Sequence, residues 1–158
     1  MSKLAFAVIA ASLLAGTLAA CGTDSKGDPP LFPADYTSTY QEVRNCRFSL
    51  EHDLLYIRVL ASPEALTPYS QRMAPFPTGA IVIKEEYAMD DMTCSGPIQF
   101  ITAMEKLDDG SSPMTMDWHW QKVDGNRHVI NSDDKSCINC HMGCGVPPDG
   151  YLGTCTMP

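Results

Sequence analysis

Apolar positions along the chain fall into short alternating or continuous runs separated by turn residues, a pattern that predicts strands and few helices. Leu54 to Leu60 (LLYIRVL), Ala80 to Tyr87 (AIVIKEEY), Ile98 to Met104 (IQFITAM) and Asp117 to Val123 (DWHWQKV) are the strand candidates. Turn-rich stretches lie between them, such as residues 107–113 (LDDGSSP) and Asp124-Gly125-Asn126. Ser62-Pro63-Glu64 sets an N-cap residue, a proline at the first helical position and an acidic first turn in order. A short helix is expected there, ending before Met73, with Pro75 and Pro77 barring its continuation. The fold class expected is α+β, mainly β: an antiparallel sheet with a few short helices and a C-terminal attachment segment. After Ser132 the chain turns to Cys, Gly, Pro and Asp without periodicity. That part has too little apolar surface to offset the entropy of ordering and needs a covalent or metal constraint.

The N-terminus carries a different pattern. Met1-Ser2-Lys3 is a short positive start, and Leu4 to Leu18 is an apolar run of the kind found in signal peptides. A membrane-spanning helix needs about 20 apolar residues, more than this run supplies. The run ends in Leu18-Ala19-Ala20-Cys21, which resembles the lipobox of bacterial lipoproteins, whose cysteine is lipidated and becomes the new N-terminus. Residues 1–20 are therefore expected to be a signal peptide and Cys21 a lipid anchor. Export and attachment on the periplasmic side of a bacterial membrane follow. Gly22, where an Asp would signal retention, favours the outer membrane over the inner. Residues 22–35 (GTDSKGDPPLFPAD) lack any period and read as the rest of a flexible tether over 21–35, leaving one folded domain over 36–158.

Composition narrows the partners. The chain has 158 residues, 44% of them hydrophobic and 19% charged, which suits one water-soluble domain with a core. A net charge of −8 without any Lys/Arg cluster excludes nucleic acid as a partner. Seven cysteines in so short a chain point to export, to metal chemistry, or to both.

Cys137-Ile138-Asn139-Cys140-His141 is the single C-x-x-C-H in the sequence and matches the attachment motif of c-type haem. Residues three and four apart share one helical face, so two thiols can bond the two vinyl groups while His141 reaches iron from the same side. One motif implies one covalent haem c. Two other readings exist. Zinc would need two further ligands, from Cys144 and His119 or His128, without a second C-x-x-C or H-x-H pair. A dithiol redox site would normally follow a strand of a βαβ unit, which is absent. Apart from Cys21 and the motif, Cys46, Cys94, Cys144 and Cys155 remain and allow three pairings. The favoured one staples the turn-rich segment through Cys144 and Cys155, leaving Cys46 to join Cys94 across the sheet.

Taken together, residues 76–87 (FPTGAIVIKEEY), Met104-Glu105-Lys106, Asp117-Trp118 and the late C-x-x-C-H resemble the cytochrome P-460 family, which includes the β-sheet cytochromes c-prime. The likeness runs from about Tyr36 to His141. It implies a mainly antiparallel sheet, a homodimer, a haem held proximally by His141 and an open distal side where small nitrogen species bind. Members named for hydroxylamine oxidation carry a lysine-to-porphyrin bond, and the resemblance puts Lys84 at that lysine's position. Independently, period two sets Ala80, Val82, Lys84 and Glu86 on one strand face and Ile81, Ile83, Glu85 and Tyr87 on the other. Lys84 thus extends an apolar face, where it either snorkels to solvent or lies against the haem edge. Burial there would favour the neutral amine.

Two features depart from the family pattern. The stretch after His141 carries two extra cysteines, and no distal carboxylate is matched; Asp133 and Asp134, just upstream of the motif cysteines, read as solvated loop residues in preference to neighbours of the pocket. His52, His119 and His128, like Met114, Met116 and Met142, are each expected to be structural or surface residues in preference to a sixth iron ligand. Trp118 and Trp120 share a strand face, as sheet core or haem wall. Three functions stay open: an enzyme oxidising hydroxylamine or handling nitric oxide, a module binding such a ligand without turnover, or a six-coordinate electron carrier. The sequence leaves the redox partner unnamed.

Overall fold

The computed structural model describes residues 27–146 and 150–155. The expected signal peptide over residues 1–20 and the expected anchor Cys21 lie outside the described residues. The element order is α1 (Tyr36–Thr39), β1 (Gln41–Ser49), β2 (Leu55–Ala61), α2 (Pro63–Gln71), β3 (Ile81–Tyr87), β4 (Ile98–Lys106), a 3-10 turn at Pro113–Thr115, β5 (Trp118–Asp124), β6 (Val129–Ser132) and α3 (Lys135–Met142). The strands form one six-stranded sheet in sequence order, every neighbour antiparallel. This is the mainly β, α+β class that the patterning predicts. No helix among the described residues is long and apolar enough to cross a membrane.

All four strand candidates form, with ends displaced by a residue or two. Two strands carry no such signal. β1 (QEVRNCRFS) is an edge strand with mostly accessible positions and irregular register between Glu42 and Arg44 and between Arg44 and Arg47, so polar side chains break its alternation. β6 has four residues, too few for a period to register. Ser62 has the extended backbone of an N-cap, but its hydroxyl accepts from Ile81 N–H at 3.1 Å and tethers the helix to β3.

Each face of the sheet has its own cover. On one, Val59, Ala61, Val82, Met104, Trp118 and Trp120 pack against α2 through Ala65 and Tyr69. On the other, Leu60, Ile83, Ile101 and Val123 pack against Phe32 and Tyr36. The folded unit therefore begins earlier than the expected boundary at Tyr36. Phe32 is 2% exposed, its carbonyl accepts from Arg127 at 2.8 Å, and Gln121 bonds both Leu31 N–H (2.9 Å) and the Pro29 carbonyl (3.2 Å). Residues 29–35, read from composition as tether, are ordered by a buried aromatic and by backbone groups that find partners on the sheet.

Glu85 stands at the centre of this second face, with no exposed surface. It accepts from Tyr36 Oη and Tyr87 Oη, each at 2.6 Å, and pairs with Arg58 Nε. Burial, then the bond to Glu85, pushes both phenols well above their ordinary value, and burial holds Tyr40 at about 12. A phenol whose pKa is raised by folding keeps its proton in the native state after the unfolded chain has lost it, so stability falls as pH climbs beyond about 10. Tyrosinate absorbance from Tyr36 and Tyr87 should accordingly appear together with loss of circular dichroism. A Tyr36→Phe/Tyr87→Phe protein would lack that step; ionisation of both in wild type with the sheet intact would contradict the burial argument.

Both favoured disulfides are present. Cys46–Cys94 closes a separation of 48 residues and Cys144–Cys155 one of 11, while Cys137 and Cys140 are free thiols. Loop-closure entropy assigns these bridges about 4 and about 3 kcal/mol respectively.

Candidate functional site

The free thiols belong to α3. Asp134 starts this helix by accepting from Ser136 N–H at 2.7 Å, and Asn131 Nδ2 donates to the same carboxylate. Eight residues of helix bring Cys137, Cys140 and His141 to one face. That face borders a cavity of about 770 Å³, which lies within the range of roughly 300–1,000 Å³ of small-molecule and cofactor pockets.

The opposite wall is the sheet, and strand register determines which residues it presents. Arg44, Val59, Lys84, Thr102, Lys122 and Asn131 stand in one cross-strand row, and every one of them lines the cavity. The row on one side contributes Val82, Met104 and Trp120, and the row on the other contributes Arg47, Ile57 and Glu86. An apolar floor thus grades into a polar end. The Trp120 ring packs 4.5 Å from the His141 ring, centroid to centroid, which makes it a wall of the site as well as core.

Lys84 is half-buried in the sheet wall of the cavity, and loss of solvent there lowers its amine to about 8 against the opposing pull of Glu86. Its Nζ meets His52 Nε2 at 2.5 Å, and His52 Nδ1 meets Ser49 Oγ at 2.8 Å. Burial, then the Lys84 charge, holds His52 down at about 3. The same two causes hold His141 at about 4, so both imidazoles are neutral at neutral pH. His52, read from sequence as a structural or surface residue, is instead a cavity residue. Its signal was weak because the loop that carries it has no period.

Glu86 is 1% exposed, accepts from Thr102 Oγ1 at 3.1 Å, and is raised above the ordinary carboxylate value by burial. Period two had already set it on the Lys84 face. Asp133 and Asp134 also line the cavity, with their carboxylates engaged in the fold: Asp133 bonds His119 and Trp120 N–H, and Asp134 caps α3. His119 is held by Asp133 and His128 by Asp124, and neither lines the cavity. With Cys144 oxidised to a disulfide, the zinc set that sequence left open has lost its third thiolate. No cluster of three or more His, Cys, Asp or Glu suited to a metal ion occurs among the described residues.

His141 Nδ1 is 2.6 Å from the Gly153 carbonyl. The carbonyl can only accept, so Nδ1 carries the hydrogen and Nε2 keeps its lone pair for a metal. A ligand in the correct tautomer, two thiols on its own helical face, apolar walls and cations at one end form a donor set that fits an iron porphyrin. The cations Arg44, Arg47 and Lys122 suit propionates.

Comparison with known proteins agrees with that chemistry. A family model described as cytochrome P460 matches residues 33–144. No curated protein matches the chain.

Proposed function

We propose that this chain, which belongs to the cytochrome P460 family and is thus a haem protein, carries one covalent haem c through Cys137 and Cys140, with His141 as proximal iron ligand, and uses it on small nitrogen species. The observation that carries this reading is the cavity in which the two free thiols and His141 face Lys84 across an apolar floor. The haem, when bound, supplies a redox-active iron with a coordination position for hydroxylamine or nitric oxide.

The chain's own residues would divide the remaining work. His141 Nε2 would hold iron, and Trp120 and Met104 would supply apolar wall to a cavity that excludes water. Glu86 is the buried carboxylate available to accept a proton from a bound amine, a role suited to its raised pKa. Lys84 stands within the cavity as a base or as the tether of the porphyrin, and its neutral fraction rises as pH passes about 8. The leader, Cys21 and the lipid anchor enter on sequence pattern, and pairing into a homodimer on family resemblance.

The electron-carrier reading has one observation in its favour, since His52 lines the same cavity as His141 and offers a nitrogen for a sixth bond. Spin state separates the two. High-spin ferric iron is expected in wild type, with hydroxylamine oxidation that drops at least tenfold in Lys84→Leu. Low-spin iron that becomes high-spin in His52→Phe would replace the proposed reading with the carrier.

A further inference from the structure

The segment that contacts His141 Nδ1 is no part of the C-x-x-C-H motif, and Gly153 and Cys155 lie beyond the span matched to the family. We propose that the Cys144–Cys155 disulfide is a clamp that holds the Gly153 carbonyl against His141 Nδ1 and thereby sets the electron-donating strength of the proximal ligand. The proposal rests on the haem reading above.

The segment is pinned at several points. Gly153 N–H donates to the Cys144 carbonyl at 3.2 Å, and Leu152 N–H to Gly145 at 3.1 Å. Trp118 Nε1 donates to the Leu152 carbonyl at 2.7 Å, and Tyr151 Oη to Ala74 at 2.8 Å. Only glycine fits at 153: its φ is +84°, and an added Cβ would stand 2.9 Å from Met116 Cε and 3.2 Å from Trp118 Nε1. The backbone is thus packed edge-on between Trp118 and His141, and the disulfide closes the loop that carries it. Cys155 Sγ itself lies 3.7 Å from His141 Nδ1.

A carbonyl accepting from Nδ1–H shifts imidazole toward imidazolate, which strengthens donation through Nε2 and favours ferric iron. Cys155 is exposed at the wall of the cavity, whereas Cys144 is buried. When a small dithiol reduces the bridge, its two S–H groups give up two protons and two electrons to close its own disulfide. Cys144 and Cys155 each take up one of both, and the covalent tie that adds to these hydrogen bonds is lost.

The test uses holoprotein matured with covalent haem. In a Cys144→Ser/Cys155→Ser variant the midpoint potential should move positive and the ferrous iron–imidazole stretching frequency should fall. Dithiol-treated wild type should match it. A Cys46→Ser/Cys94→Ser control should keep both readouts at wild-type values despite lower stability. Gly153→Ala displaces the carbonyl with the bridge intact and should shift both in the same direction; it and the dithiol experiment decide the matter where the double variant fails to mature. Full haem content with unchanged potential and stretch, or an equal shift in the control, overturns the clamp. Haem-free wild type would overturn the haem reading and the clamp with it, whereas the first two outcomes leave that reading standing.

Discussion

Serine at both Cys137 and Cys140 is expected to reduce haem that survives acid-solvent extraction to background, or to expose a second tether. The two thiols are three residues apart on α3 and are the free cysteines among the described residues, the other four being consumed in disulfides. Without thioethers, only the His141 bond and cavity contacts hold the porphyrin, and acid breaks the former by protonating Nε2. Lys84 supplies the second arm of the experiment. A chain in which its amine has bonded the porphyrin keeps a covalent chromophore in the double-serine protein and loses it when Lys84→Leu is added. Intact mass and a pyridine haemochrome spectrum after expression with a haem-ligation system read both arms. Covalent haem persisting in the triple variant would remove these residues from the role assigned to them.

The largest effect on stability is expected at a residue that touches no cofactor. Glu85→Leu strands the hydroxyls of Tyr36 and Tyr87 and the guanidinium of Arg58, with the carboxylate's site wholly buried. Removing one member of such a network typically costs about 3–5 kcal/mol. For a domain of this size that lowers the melting temperature by roughly 10–20 °C. The adjacent Glu86 should behave in the opposite sense, although it is almost as buried. Its pKa is raised by folding, so its charge reduces stability as pH rises from the ordinary carboxylate value through the raised one. Glu86→Gln should therefore leave the melting temperature at pH 7 unchanged or higher. Thermal unfolding of both variants checks the pair, and Glu85→Leu melting with wild type would show that the network contributes little.

Neighbours in sequence thus end in different tasks because a strand sends alternate side chains to opposite faces. That part was legible before any coordinates: the period-two split of residues 80–87 separates the Lys84–Glu86 face from the Ile83–Glu85 face. The four strongest strands, the helix that starts at Pro63, the shared helical face of Cys137, Cys140 and His141 and the pairing of the four other cysteines were legible too. Each depends on spacing within a dozen residues, on a helical or strand period, or on eliminating cysteines already assigned. β1 was not, since an edge strand need not alternate, and neither was the docking of residues 29–35, where one buried Phe32 outweighs a composition typical of linkers.

By itself, then, the amino-acid order determined the four inner strands from β2 to β5, the start of α2 and the placing of two thiols and a histidine on one helical face, because these follow from local periodicity and spacing. The tertiary structure alone decided that His52 meets Lys84, that Glu86 is the carboxylate in the cavity, that Glu85 gathers two tyrosines and an arginine, and that Gly153 backs His141. The side chains and carbonyl in these encounters come from different strands and loops. Strand register and loop closure bring them together, and neither leaves a periodic trace in the chain.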